Sequence, residues 1–282
     1  MSPSLSPLRE RYPEHFRRVD RSRLIVAATA LGLFLLLLYG MDVLGFFDGT
    51  LIAGFGRLIE IVGLMLPPDP GSWAHVRIYS ISLLETVAIA LLGTLSASVM
   101  ALPVALLAAR NVTAQRVVRF FARRSLDTIR SVDILVWALI WINVVGLGPF
   151  AGVLAFMTSD IGSFGKLFSE AIEAADRKPV EGITSTGGSH VLGIRFGILP
   201  EVFPVLLSQV LYYFESNVRY STIIGIVGAG GIGLHLAEAI RTLELQQTSF
   251  IVLMILVAVA AIDFLSNRLR FALIGRRGGA TA

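Results

Sequence analysis

The chain has no cysteine among its 282 residues, which excludes disulfides and thiol chemistry and leaves the redox compartment open. Charge is scarce: only 16% of residues are Asp, Glu, Lys or Arg, against 55% hydrophobic. With a mean hydropathy of +0.75, the chain falls outside soluble domains and among polytopic membrane proteins. It has no glycine-rich loop ending in Lys-Ser or Lys-Thr, so ATP binding must reside in another polypeptide. His75, His190 and His235 are scattered, with no carboxylate or cysteine cluster to complete a metal site.

What is present is a series of long apolar runs. A helix needs about 20 apolar residues to cross the hydrocarbon core, and backbone groups in lipid must be satisfied within the segment. The runs are too long for the alternating strands of an outer-membrane barrel. They predict an all-α membrane protein of six transmembrane helices, over 24–47, 79–109, 134–145, 150–168, 198–224 and 249–265. The third span is expected to begin within its approach at 126–132. The segment 50–66 contains Arg57 and Glu60, ends at Pro67-Pro68, and reads as an interfacial amphipathic helix. The expected organisation is a basic tail (1–23), the first span (24–47), an outer segment (48–78), a core (79–274) and a second tail (275–282).

The first 23 residues carry Arg9, Arg11, Arg17, Arg18, Arg21 and Arg23, but also Glu10, Glu14 and Asp20. Too long and too acidic for a cleavable signal, this tail is expected to precede an uncleaved span. Beside that span its arginines suit a membrane face, and no nucleic-acid partner is expected. Six spans place both termini on one side. On that reading 20 of the 24 Lys and Arg lie inside and three outside, with Arg219 within a span. This asymmetry predicts an N-in, C-in orientation.

Between the fourth and fifth spans lies a polar, glycine-marked loop, Glu181-Gly-Ile-Thr-Ser-Thr-Gly187-Gly188, running on to Leu199-Pro200. Pro179 is suited to open a helix there, because its missing N–H costs nothing in a first turn. Glu181 follows in that turn, favoured by the helix dipole, and Gly187 lets the backbone turn. Pro200 is expected in the first turn of the fifth span. The spacing, a Glu, a Gly six residues on and a Pro thirteen further, resembles the cytoplasmic coupling loop (the EAA loop) of ABC importer permeases. The chain departs from that pattern at Gly182 and Ile183, where alanines are common.

The resemblance extends over residues 80–274. Leu135-Val-Trp-Ala-Leu-Ile140, Val145-Gly-Leu-Gly-Pro149, Glu215-Ser-Asn-Val-Arg219 and Val227-Gly-Ala-Gly-Gly-Ile-Gly233 together resemble the phosphonate/phosphite importer permeases. Asp133 departs from it, standing where a proline is common. The resemblance implies a bacterial inner-membrane subunit without an ATPase site of its own. Its implied partners are two ABC ATPase subunits holding ATP and Mg, a periplasmic phosphonate- or phosphite-binding protein, a second permease copy (identical or paralogous) and membrane lipid. For Pro179, Glu181, Gly187, Gly188, Leu199 and Pro200 it implies a place at the ATPase contact.

Ionisable residues within spans are functional candidates. Glu215 and Arg219, at i and i+4, share a helix face. They stand either as an architectural ion pair or, with Asn217, as part of the cargo path, expected inside or at the outer end of span five. A planar guanidinium suits an oxyanion. Asp160, in the middle of span four, is a packing or capping group or a further path residue; Asn143 is a weaker candidate. Glu85 reads as an interfacial charge, and Gly93, Ser96, Ala97 and Ser98 as helix-packing contacts. Gly228, Gly230, Gly231 and Gly233 match the dinucleotide pattern G-x-G-x-x-G, but without the strand–turn–helix setting that pattern needs. They read instead as a tight non-helical turn re-entering the outer face as a gate. Similar glycines occur in methionine importer permeases, so methionine or another small solute is the alternative cargo. A membrane enzyme would need a polar catalytic cluster near one face, and a channel would not need the coupling-loop spacing.

Overall fold

The computed structural model describes residues 21–46 and 50–274; residues 1–20 of the first basic tail and the whole of the second (275–282) lie outside them. Two compact units are distinguished, Met1–Gly63 and Leu64–Ala282. The first contains α1 (Arg21–Val43) and nearly all of α2 (Thr50–Leu64). From Leu24 to Tyr39 every α1 side chain is exposed, as a helix surrounded by hydrocarbon requires.

The second unit is built on α3 (Trp73–Ala108), α4 (Arg116–Arg130), α5 (Ile134–Val145), α6 (Pro149–Ala174), α7 (Lys178–Ser185), α8 (His190–Leu192), a π-helical turn (Gly193–Ile198), α9 (Leu199–Ile226), α10 (Ile232–Arg241) and α11 (Leu245–Ile274). No strand occurs among the described residues. Four helical runs are long and apolar enough to cross a membrane, or five if the bent pair α4–α5 counts as one. Helix α6, at 26 residues, has the length, about 39 Å, but carries Asp160, Lys166, Glu170 and Glu173.

α3 and α6 form the centre. Ala97, Ala101 and Ala105 repeat every four residues on α3 and are fully buried, so they line one face and admit α6 closely. Without a hydrophobic drive between helices in lipid, such small-residue stripes supply close packing. A Cβ on Gly93 would lie 2.5 Å from the Phe156 Cβ, and one on Gly152 2.8 Å from the Ala229 carbonyl. Gly93 and Ala97 are thus packing positions. The core is stacked along α3: Tyr79, Ile232 and Ile251 at one end, Ile89, Phe156 and Ile224 midway, and Phe164, Phe168 and Val202 towards the end that carries α7.

One expectation needs correction. The approach at 126–132 does not lead straight into the third span: α4 is a separate amphipathic helix, and the chain bends by 87° before α5. Asp133 makes the new start, its Oδ1 accepting a hydrogen bond from the Leu135 N–H at 2.8 Å, as an N-cap residue does. Pro200 stands in the first turn of α9, and that helix continues an apolar run that begins at His190. Proline clashes with the carbonyl one turn earlier. The widened turn Gly193–Ile198 lies immediately before Leu199 and Pro200, where it relieves that clash.

Candidate functional site

Helix α7 follows the sequence closely. Pro179 lies in its opening positions and Glu181 in its first turn. Gly187 adopts φ +84°, the left-handed conformation that glycine takes without a steric penalty. The Gly187 N–H donates to the Thr184 carbonyl and that of Gly188 to the Ile183 carbonyl, both at 3.0 Å, closing the helix end. A Cβ on Gly188 would meet Ile183 Cγ2 at 2.6 Å. The surface of α7 stays exposed apart from Val180 and Ile183; Val180 packs against the π-helical turn, where Cβ atoms on Gly193 and Gly197 would reach it at 3.1 and 3.0 Å. These two glycines escaped the sequence reading, although their spacing of four was a visible sign of close helix approach.

The glycine run at the opposite end is a non-helical turn over residues 227–231, with Gly228, Gly230 and Gly231 at φ +106°, +85° and +77°. Gly233 lies beyond it, inside α10, where a Cβ would come 2.0 Å from the Thr222 carbonyl. Such a turn leaves N–H groups without helical partners, and α3 supplies acceptors. Glu85 Oε1 accepts from the Gly231 N–H at 3.0 Å, and Thr86 Oγ1 from the Ile232 N–H at 2.8 Å. Glu85 is therefore no plain interfacial charge, but a half-buried acceptor for the turn. Nearby, Tyr79 brings two of the scattered histidines together, its ring 5.8 Å from His75 and 5.7 Å from His235. Among the described residues no group of three His, Asp or Glu is arranged to hold a metal.

Between the two ends lie two polar clusters, both reached from α9. In the first, the Asn217 amide nitrogen donates to Asp160 Oδ2 at 2.6 Å and to Thr94 Oγ1 at 2.9 Å. Thr94 passes its own proton to the Ala90 carbonyl at 2.6 Å. All three side chains are buried, at 5% exposure or less, and they join α3, α6 and α9. A buried network whose donors all find acceptors fixes one arrangement of its helices.

In the second cluster, Arg219 Nη1 donates to both Asp263 oxygens at 3.1 Å, and Nη2 to Glu215 Oε1 at 3.2 Å. Arg270 Nη2 donates to Glu215 Oε2 at 3.3 Å. Two cations and two anions thus bind α9 to α11 in a neutral chain. The sequence pairing of Glu215 with Arg219 is present. Asp263 was missed, although an acid within the sixth span was a signal by the same rule that singled out Asp160. Arg270 stands four residues from the end of α11 at Ile274. Glu215 and Arg219 lie in the second half of α9, nearer its Ile226 end than the Leu199 end beside α7. Asn143 turns its amide back onto the Leu139 carbonyl at 2.7 Å and joins neither cluster.

Residues 101–278 match the model of the family described as "Binding-protein-dependent transport system inner membrane component". The HtxC permease protein of Stutzerimonas stutzeri is 40% identical over 79% of this chain and 78% of its own. The phosphite transport system permease protein PtxC of the same organism is 37% identical, over 78% of this chain and 79% of its own. Among solved structures, an inward-facing MetNI methionine ABC transporter aligns with a TM-score of 0.62 and 19% identity, over 72% of this chain and 99% of that one; that likeness concerns the fold. With the family model matching well over half of its length, the chain belongs to the inner-membrane components of binding-protein-dependent transport systems.

Proposed function

We propose that the chain is the permease subunit of an ABC importer that moves a phosphorus oxyanion, a phosphonate, phosphite or hypophosphite, across the bacterial inner membrane. The observation that carries this reading is the identity of 37% over nearly four-fifths of the chain to a phosphite transport permease. The likeness to the methionine transporter, at 19% identity, concerns the fold alone.

In this reading two ABC ATPase subunits bind ATP and Mg and dock against α7 through Pro179, Glu181, Gly187 and Gly188. Leu199 and Pro200 pass their motion into α9. A periplasmic binding protein delivers cargo at the opposite end, where Gly228, Gly230, Gly231 and Gly233 form the gate. A second permease copy completes the pathway. The Asp160–Asn217–Thr94 network is assigned an architectural role. The Arg219 cluster is assigned to gating: the Arg219 side chain is 45% exposed, and an anion passing it competes with Asp263 for the guanidinium. Both termini lie on the ATPase side.

The test is reconstitution of the chain with its ATPase and binding protein in proteoliposomes. Phosphite, hypophosphite or a small phosphonate is expected to stimulate ATP hydrolysis and to accumulate inside, and methionine to do neither. Accumulation of methionine without any phosphorus oxyanion would refute the assignment.

A further inference from the structure

Helix α4 is amphipathic in an inverted sense. Arg119, Arg123 and Leu126 fall on one face at i, i+4 and i+7, and that face is turned into the protein. Arg119 Nη1 donates to the Thr113 carbonyl at 3.4 Å and Arg123 Nε to the Ala108 carbonyl at 3.0 Å. Arg123 is also ion-paired with Glu173, and a Cβ on Gly165 would run into the Leu126 side chain at 2.3 Å. The outward arc carries Val117, Phe120 and Phe121, exposed at 67%, 56% and 65%, with Arg124 among them. An aromatic pair so placed is unfavourable in water and well suited to the boundary of a bilayer.

Charge identifies what covers this arc. The helix holds five arginines and one acid, Asp127. Arg116 has no ion-pair partner among the described residues, and the Arg124 side chain, 69% exposed, reaches only Asp127 at 4.0 Å. The Arg124 guanidinium lies 5.6 Å from the centre of the Phe120 ring. Because α4 meets the apolar helix α5 at 87°, it runs across the direction of a crossing helix. Phe120 and Phe121 are thus exposed on a helix lying crosswise to its apolar neighbour, with Arg116 and Arg124 beside them.

We infer that α4 is a binding site for anionic phospholipid of the inner leaflet: Phe120 and Phe121 enter the acyl boundary, and Arg116 and Arg124 hold the headgroup phosphate. The leaflet assigned rests on the transporter reading, which places this end of the bundle inside the cell. The lipid contact itself needs neither cargo nor ATPase.

The test uses the purified full-length chain in detergent, incubated with phosphatidylglycerol or phosphatidylcholine, with retained lipid counted by native mass spectrometry. The wild type is expected to retain phosphatidylglycerol in preference. Each arginine near a charged leaflet contributes about a five-fold change in affinity. Arg116→Gln with Arg124→Gln should therefore abolish most of the preference, while Arg116→Lys with Arg124→Lys keeps it and controls for folding. Phe120→Ser with Phe121→Ser should lower retention of both lipids. Equal retention of the two lipids by the wild type, or an undiminished preference in the double glutamine variant, would overturn the inference. So would a shift of that variant between monomer and dimer without loss of lipid, which would make the face a contact between copies. Since only chain and lipid are present, failure here leaves the transport reading standing, and failure of transport leaves this result standing.

Discussion

Asn217 and Arg219 stand two residues apart on α9, yet the helix turns one into the bundle and the other to its periphery. The inward cluster is sealed and small: one amide, one hydroxyl and one carboxyl. The peripheral cluster is ionic and more accessible, with side-chain exposures from 14% at Glu215 to 45% at Arg219. A buried polar contact that cannot exchange with water is costly to break. An ion pair open to solvent or to a passing anion can break and re-form at low cost. One helix therefore carries a fixed pin and a releasable clasp on different faces.

The largest expected effect comes from breaking the pin. Asn217→Leu leaves Asp160 and Thr94 without their donor, and an orphaned buried polar group costs about 1–3 kcal/mol. Denaturation of the purified protein should show that loss, with transport falling in parallel. Asp160→Asn retains an acceptor for the Asn217 amide and should cost clearly less. If the two variants are equally damaging, the carboxylate has a role beyond the hydrogen bond.

Breaking the clasp should give the reverse profile. Glu215→Gln and Arg219→Ala are each expected to lower stability by no more than about 1 kcal/mol, as accessible ion pairs do. Both should change the cargo-dependent transport rate, and wild-type transport by Arg219→Ala would remove that residue from the pathway. Smaller still is the coupling between Arg219 and Asp263, about 0.5–1 kcal/mol in a double-mutant cycle and weakened by salt. The smallest term expected is between Asp160 and Arg219, within about 0.3–0.5 kcal/mol of additivity. A larger value would mean that pin and clasp act as one device.

How much of this was legible in sequence depended on whether the determining interaction was local. Pro179, Glu181 and Gly187 punctuate α7 within a few residues of one another, and the helix forms over Lys178–Ser185 as their chemistry requires. The Glu215–Arg219 pairing was legible for the same reason, since an i, i+4 spacing fixes the neighbour. Asp263 and Thr94 lie 44 and 123 positions from their α9 partners, and only the packing of whole helices brings them there. His75 and His235 were called scattered because their common neighbour, Tyr79, is a property of the fold. The bend before α5 was partly legible. Asp133 was noticed as a departure from the family, and a short acid before an apolar run is also a helix-start signal. The first-turn position of Pro200 is legible from proline chemistry, whereas the widened turn before it is not, because that effect extends backwards along the chain from the proline.

That widened turn has a mechanical consequence. The stretch from His190 to Ile226 is one rod of 37 residues, and its single irregular turn lies beside α7, far from pin and clasp. On the proposed coupling role of α7, force applied there would enter the rod at its most compliant point. A π turn takes up or gives back one residue of register more easily than a regular coil does, so a small push at that end can emerge as rotation of the shaft about its own axis. Rotation would carry Arg219 past Asp263 while the buried side of the shaft supplies the pivot.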